Sequence, residues 1–185
     1  MKSLIRKAEE LAYAEMKATG MPLKQHIDLA RNKSIELAEQ LGANKAVVEV
    51  GAFLMDCVIG QAINEGKLSE HVQMCLDKGD ELINEADISD EDKENIRHCI
   101  SEHHGVSEFH SLESEICCNV DCYRFISVPG FMCAVRFLPD MPFEDLVTLL
   151  TKKVHEKWAL VSLDECKKEL EPQYQTILKL LESLN

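Results

Sequence analysis

The chain has 185 residues with eight glycines and five prolines, enough for one sizeable hydrophobic core and unlike a disordered or fibrous composition. Its formal net charge of -13 argues against nucleic acid as a partner, because binding there releases cations from phosphates to basic side chains. A small anionic ligand stays compatible with this charge if a metal supplies positive charge locally.

Residues 3–18 place Leu4, Ala8, Leu11 and Met16 near a helical spacing, and Gly20 ends that helix. Pro22 suits the first turn of a second helix that runs to about Leu41, before Gly42. A third helix, over residues 44–64, carries Val47, Val48, Val50, Phe53, Leu54, Val58 and Ile59 around nearly its whole circumference, so it should be central. A fourth, from about Ser69 to Ala86, carries Val72, Cys75, Leu76 and Ile83.

Ser89, with Asp92 three residues later, reads as an N-cap with an acidic first turn. The helix it starts should place Ile96, Ile100 and His103 on one face, with His104 close by. The acidic run from Asp80 to Glu94 reads as a solvated connection. After Gly105 a polar link leads to a helix from about Leu112 through Phe125. Residues 126–138 combine a turn signal with either a short strand pair or a buried loop. Pro142, Glu144 and Asp145 restart helical sequence. Ser162 and Glu165 form a candidate capping box for a last helix carrying Leu170, Ile177, Leu180 and Leu184.

The opening MKSLIRKAEELAYAEMKATG is charged at nearly every turn and cannot serve as a secretory core. No later stretch is expected to reach the roughly 18 to 20 apolar residues of a membrane span, so a soluble cytoplasmic protein without a membrane partner is expected. Of the eight cysteines, Cys57, Cys75, Cys99, Cys117 and Cys118 lie in apolar helical surroundings, where reduced thiols pack as small hydrophobes. His98, with Glu102 four residues on, reads as an exposed helical pair, and His155 near Trp158 as surface or partner packing.

His26, Asp56, His71, His103 and Asp121 follow one another at wide intervals, each among helix-forming residues. Asp56 lies in the most hydrophobic helix, where an isolated carboxylate pays a large desolvation cost unless a metal, a cation or several donors compensate it. Asp121, in ICCNVDCYRF, poses the same problem. A divalent ion shared between packed helices answers both and employs the inward histidines.

These segments resemble the HD-domain superfamily of metal-dependent phosphohydrolases over roughly residues 20–130. LKQHIDLA supplies the family's early histidine as His26, AFLMDCVIG matches the region of its His-Asp pair with Asp56 as the aspartate, and ESEICCNVDCYRF supplies the late aspartate as Asp121. Met55 stands where the family has the histidine of the pair, and Ile59 where many members have lysine. His71, His103 and His104 match the further histidines of histidine-rich members.

The resemblance implies an all-α fold, a single-domain helical bundle of the HD-domain type over residues 1–185, with a C-terminal helical extension beyond the resembling core. It implies His26, Asp56, His71, His103, His104 and Asp121 as metal ligands, with Asp56, His71 and His103 in catalytic roles. The cofactor would be a divalent ion (manganese, magnesium, iron, nickel or zinc), and Arg124 a candidate for stabilising developing charge. The expected function is a phosphohydrolase acting on a small phosphomonoester or nucleotide. The alternative, favoured by Met55, is a catalytically degenerate HD-like protein that binds a ligand or partner. The terminal helices are compatible with a homo-oligomer.

Overall fold

The computed structural model describes residues 1–137 and 141–184. Among them the regular elements are helices with no strand, arranged as an all-α, single-domain bundle. The helices are α1 (Lys2–Thr19), α2 (Lys24–Leu41), α3 (Lys45–Leu54), α4 (Ile59–Asn64), α5 (His71–Glu85), α6 (Asp90–Ser101), α7 (Leu112–Ile126), α8 (Val128–Phe137), α9 (Phe143–Leu160) and α10 (Asp164–Glu182). A short 3-10 turn, Leu68–Glu70, leads into α5.

Two helices form the middle of the bundle. α3 packs against α1, α2, α6 and α7, and α7 packs against α2, α6, α8, α9 and α10 as well as α3. Val47, Val48, Val50, Phe53 and Leu54 of α3 are buried, as an all-round apolar helix requires. Its approach to the neighbours is close at Gly51, where a β-carbon would stand 2.5 Å from Cys99 Cβ and 2.9 Å from Cys117 Sγ. All eight cysteines are free thiols, and all but Cys133 are buried.

The central apolar stretch is not one continuous helix. α3 stops at Leu54, residues 55–58 form a turn, and α4 resumes at Ile59. Residues 45–64 are long and apolar enough to cross a membrane, contrary to the expectation from sequence, but the bundle buries most of this stretch. The turn carries Asp56 into the interior.

Several local signals take the expected form. Ser89 caps α6 by accepting from Asp92 N at 3.1 Å. Gly20 and Gly42 close α1 and α2 in left-handed conformation, and a capping box of Ser111 and Ser114, not named from the sequence, starts α7.

Others do not. Residues 128–137 are helical rather than a strand pair or loop: Ser127 Oγ accepts from Gly130 N at 3.2 Å as an N-cap would, and Pro129 sits in the first turn, where its missing N–H costs little. Leu138, the end of that segment, lies outside the described residues. The Ser162 box does not form, because Ser162 Oγ accepts from Asn119 Nδ2 at 2.8 Å and α10 begins after an uncapped Leu163. On α10, Leu170, Ile177 and Leu181 face inward while Leu180 and Leu184 are exposed.

Candidate metal centre

α6 ends at Ser101, so His103 and His104 stand in the turn beyond it rather than on its face. The turn closes at Gly105, whose φ of 86° suits glycine. His71 opens α5. These ends of α5 and α6, with the turn after α3, bring three imidazoles and one carboxylate together.

The ring nitrogens of His71, His103 and His104 include three ligand atoms that all lie within 4.8 Å of one another. His71 Nε2 is 3.0 Å from His104 Nε2. Asp56 Oδ1 lies 3.6 Å from His71 Nε2 and 3.7 Å from His103 Nε2. Four nitrogen and oxygen ligands held at ~2.0–2.1 Å in a tetrahedron are themselves about 3.3 Å apart, so the spacing fits a shared ion. The group is a potential metal-binding His/His/His/Asp cluster able to chelate a divalent ion.

Two backbone carbonyls orient the donors. His71 Nδ1 donates to Leu68 O at 2.7 Å and His103 Nδ1 to Ile100 O at 2.6 Å. A carbonyl only accepts, so each Nδ1 carries a proton, and the Nε2 turned toward Asp56 is the atom free to offer a lone pair to a cation. His103 Nε2 and Asp56 Oδ1 are fully buried and have no hydrogen-bond partner among the described residues. Two enclosed lone-pair atoms facing each other are costly unless a cation joins them.

The other carboxylate oxygens are held differently. Arg124 Nη2 donates to both Asp56 Oδ2 and Asp121 Oδ1, and Lys157 Nζ donates to Asp121 Oδ2. Burial opposes ionisation of Asp121, but Lys157 and Arg124 outweigh it and hold the carboxyl well below its ordinary value. Burial likewise opposes the charge on Asp56, and chiefly Arg124 holds that carboxyl down. Asp121, Arg124 and Lys157 are therefore a buried ion network beside the imidazoles.

His26 is placed apart from the cluster. Its Nε2 donates to Gly130 O at 3.0 Å, its ring lies 5.8 Å from that of Phe125, and burial followed by the Arg124 charge pushes its pKa down. The structure thus joins Asp56, His71, His103 and His104, sets Asp121 behind two cations, and ties His26 to α8. His26, Asp56, His71, His104 and Asp121 all line one cavity of about 420 Å³.

Lys157 is the residue that sequence reasoning missed, since it lies in a segment dense in charge, KKVHEKWAL. Its signal is periodic: Val147, Leu150, Val154 and Lys157 are the buried residues of α9, and Lys157 continues their stripe. Arg124 is buried and bridges Asp56 and Asp121. His98 does meet Glu102, at 2.7 Å, but Glu102 is buried and also accepts from His110 N. His155 Nδ1 lies 2.9 Å from the Tyr174 hydroxyl, beside the stacked Trp158 and Tyr174 rings.

The expected HD-domain motif broken by Met55 requires correction. Met55 is fully buried in the hydrophobic core at the end of α3, and the cluster of His71, His103 and His104 with Asp56 is intact without any ligand at that position. The chain matches no family model, and no curated protein and no solved structure matches it.

Proposed function

We propose that the chain is a metal-dependent phosphohydrolase acting on a small phosphomonoester or nucleotide. The observation that carries this reading is the pair of enclosed, unpartnered ligand atoms, Asp56 Oδ1 and His103 Nε2, with His71 Nε2 beside them. Asp56, His71 and His103 hold the ion and His104 completes the imidazole set. Three imidazoles suit zinc, iron or nickel better than magnesium, which prefers oxygen ligands.

A divalent ion held in this place would supply Lewis acidity toward a phosphoryl oxygen and activate water for attack. The water oxygen bonds to phosphorus as the ester P–O bond breaks, and the alcohol leaves with a proton. Arg124, Lys152, Lys153 and Lys157 line the same cavity, where their charge complements a phosphate despite the acidic chain as a whole. Asp56 stays ionised because Arg124 compensates it, so one oxygen remains a charged ligand at neutral pH.

A second reading, a ligand-binding protein without turnover, draws on Asp121. Both of its oxygens are engaged by Lys157 and Arg124, which leaves Asp56 Oδ1 as the carboxylate oxygen turned to the imidazoles.

Metal analysis of freshly purified protein, paired with phosphate release from a panel of phosphomonoesters and nucleotides, tests both. Bound metal with turnover, lost in Asp56→Asn, supports the hydrolase. Bound metal without turnover supports the binder, and a protein that takes up no divalent ion overturns both.

A further inference from the structure

We propose that the phosphate ester this site takes is that of an apolar alcohol, an alkyl or aryl phosphate, rather than a sugar phosphate or a nucleotide. This rests on the phosphohydrolase reading for the reaction but stands on a separate set of residues, those that line the cavity away from the imidazoles.

At about 420 Å³ the cavity is far larger than a phosphate group and falls in the range of small-molecule sites, roughly 300–1,000 Å³. Its charged and ligating lining comprises Asp56, His71 and His104 of the cluster, Asp121 with Arg124 and Lys157, and Lys152, Lys153 and Glu156 of α9. Apart from the His26 ring, whose Nε2 is bonded to Gly130 O, the remaining wall is apolar, including Leu23, Ile59, Ile63, Leu68, Phe125 and Leu149. Among the described lining residues there is no serine, threonine, asparagine, glutamine, tyrosine or tryptophan.

That omission decides between substrate classes. A sugar or a nucleobase brings hydroxyl or amide groups that must leave water, and a site that accepts them supplies neutral donors and acceptors in return. Here a ribose or hexose would exchange water for hydrocarbon. The lining carboxylate of Glu156 accepts from Lys153 at 2.8 Å. An alkyl or aryl body loses nothing by entering and gains from apolar burial.

The mouth of the cavity adds a second observation. Ile63, Leu68 and Leu149 are 37%, 51% and 40% exposed, and they come from three separate elements, α4, the 3-10 turn and α9. Large apolar side chains left in water around one opening await an apolar occupant. Phe125 lines the same cavity, with Lys153 Nζ 5.5 Å and Lys157 Nζ 5.8 Å from its ring centre. Cationic charge for the phosphate and an apolar surface for its ester thus adjoin.

The test compares ethyl phosphate, hexyl phosphate and glucose 6-phosphate, all esters of primary alcohols, with the metal-loaded protein. Hexyl phosphate is expected to exceed ethyl phosphate in kcat/KM by roughly 200-fold, since each of the four added methylenes contributes about a factor of four, and to exceed glucose 6-phosphate by at least as much. Equal or better turnover of glucose 6-phosphate, or of AMP, overturns the inference. Calorimetric binding of hexylphosphonate and ethylphosphonate reads the apolar wall without chemistry. A preference for the hexyl compound with no phosphate release from any ester keeps this inference and removes the hydrolase. Equal binding of the two phosphonates removes this inference whatever the turnover. Ile63→Gln and Leu149→Gln, at exposed positions where folding is little affected, should narrow the hexyl-to-ethyl ratio in both measurements.

Discussion

Lys157 Nζ lies 3.0 Å from His104 Nδ1, and the other ring nitrogen of His104, Nε2, lies 3.0 Å from His71 Nε2. A lysine on α9 thereby meets an imidazole of the turn beyond α6. The same ammonium neutralises Asp121, and the Asp121 charge holds the Lys157 pKa up against the opposing effect of burial.

Lys157→Met therefore leaves a buried carboxylate oxygen without its cation. The expected cost is about 3–5 kcal/mol, the usual result of removing one partner of a buried pair. Asp121→Asn in the same chain should recover a large part of it. Urea unfolding of the single and double variants measures both, and additive losses would show that the two side chains are not coupled.

Arg124→Ala should act differently with and without metal. It leaves the Oδ2 of Asp56 and the Oδ1 of Asp121 facing each other without a cation. In chelator the variant should lose about 3–5 kcal/mol, and manganese or zinc should restore much of this by binding between the carboxylates. Metal content should rise by one further ion per chain. If content is unchanged and added metal gives no recovery, the carboxylate pair does not bind cations.

Gly130→Ala should loosen α8 from α7. A β-carbon there would stand 2.4 Å from Tyr123 O and 2.6 Å from the Arg124 carbonyl, backbone atoms that cannot swing aside. The expected loss is about 1–3 kcal/mol or more, together with the His26 bond to Gly130 O. A denaturation midpoint equal to that of the parent would contradict this packing.

Glu113 gives a pH signature away from the metal centre. Its carboxylate accepts from Asn44 N at 2.7 Å and Asn95 Nδ2 at 3.1 Å, joining α7 to the start of α3 and to α6. Burial resists its charge, but these donors outweigh burial and set its pKa below the ordinary 4.5. A carboxyl depressed on folding contributes stability above its unfolded pKa and loses it as pH falls through the folded value. Glu113→Gln should cost about 1 kcal/mol at neutral pH, and the gap to the parent should shrink as pH falls below 4.5. A gap that is constant with pH would assign the loss to packing.

Much of the helical order was legible because it is local. Ser89, Gly20, Gly42 and the stripe of Leu4 and Ala8 act within a few residues of where they stand. Residues 126–138 misled because VPGFMCAVRF has apolar content without a decisive period, and its helix depends on the Ser127 cap and on Gly130 fitting against α7. Leu180 and Leu181 have equal hydrophobicity, so only the rotation of α10 against its neighbours selects Leu181 for burial.

By itself the sequence determined a bundle of helices with aspartates and histidines set where their burial would demand compensation, because side-chain period and the cost of buried charge are properties of residue type and spacing. Only the tertiary structure decided which compensation each received. Asp121 met Arg124 and Lys157, His26 met the carbonyl of Gly130, and Asp56 was left with one oxygen toward three imidazoles. Those outcomes depend on separations of a few ångströms between atoms tens of residues apart, which helix packing sets and linear spacing does not encode.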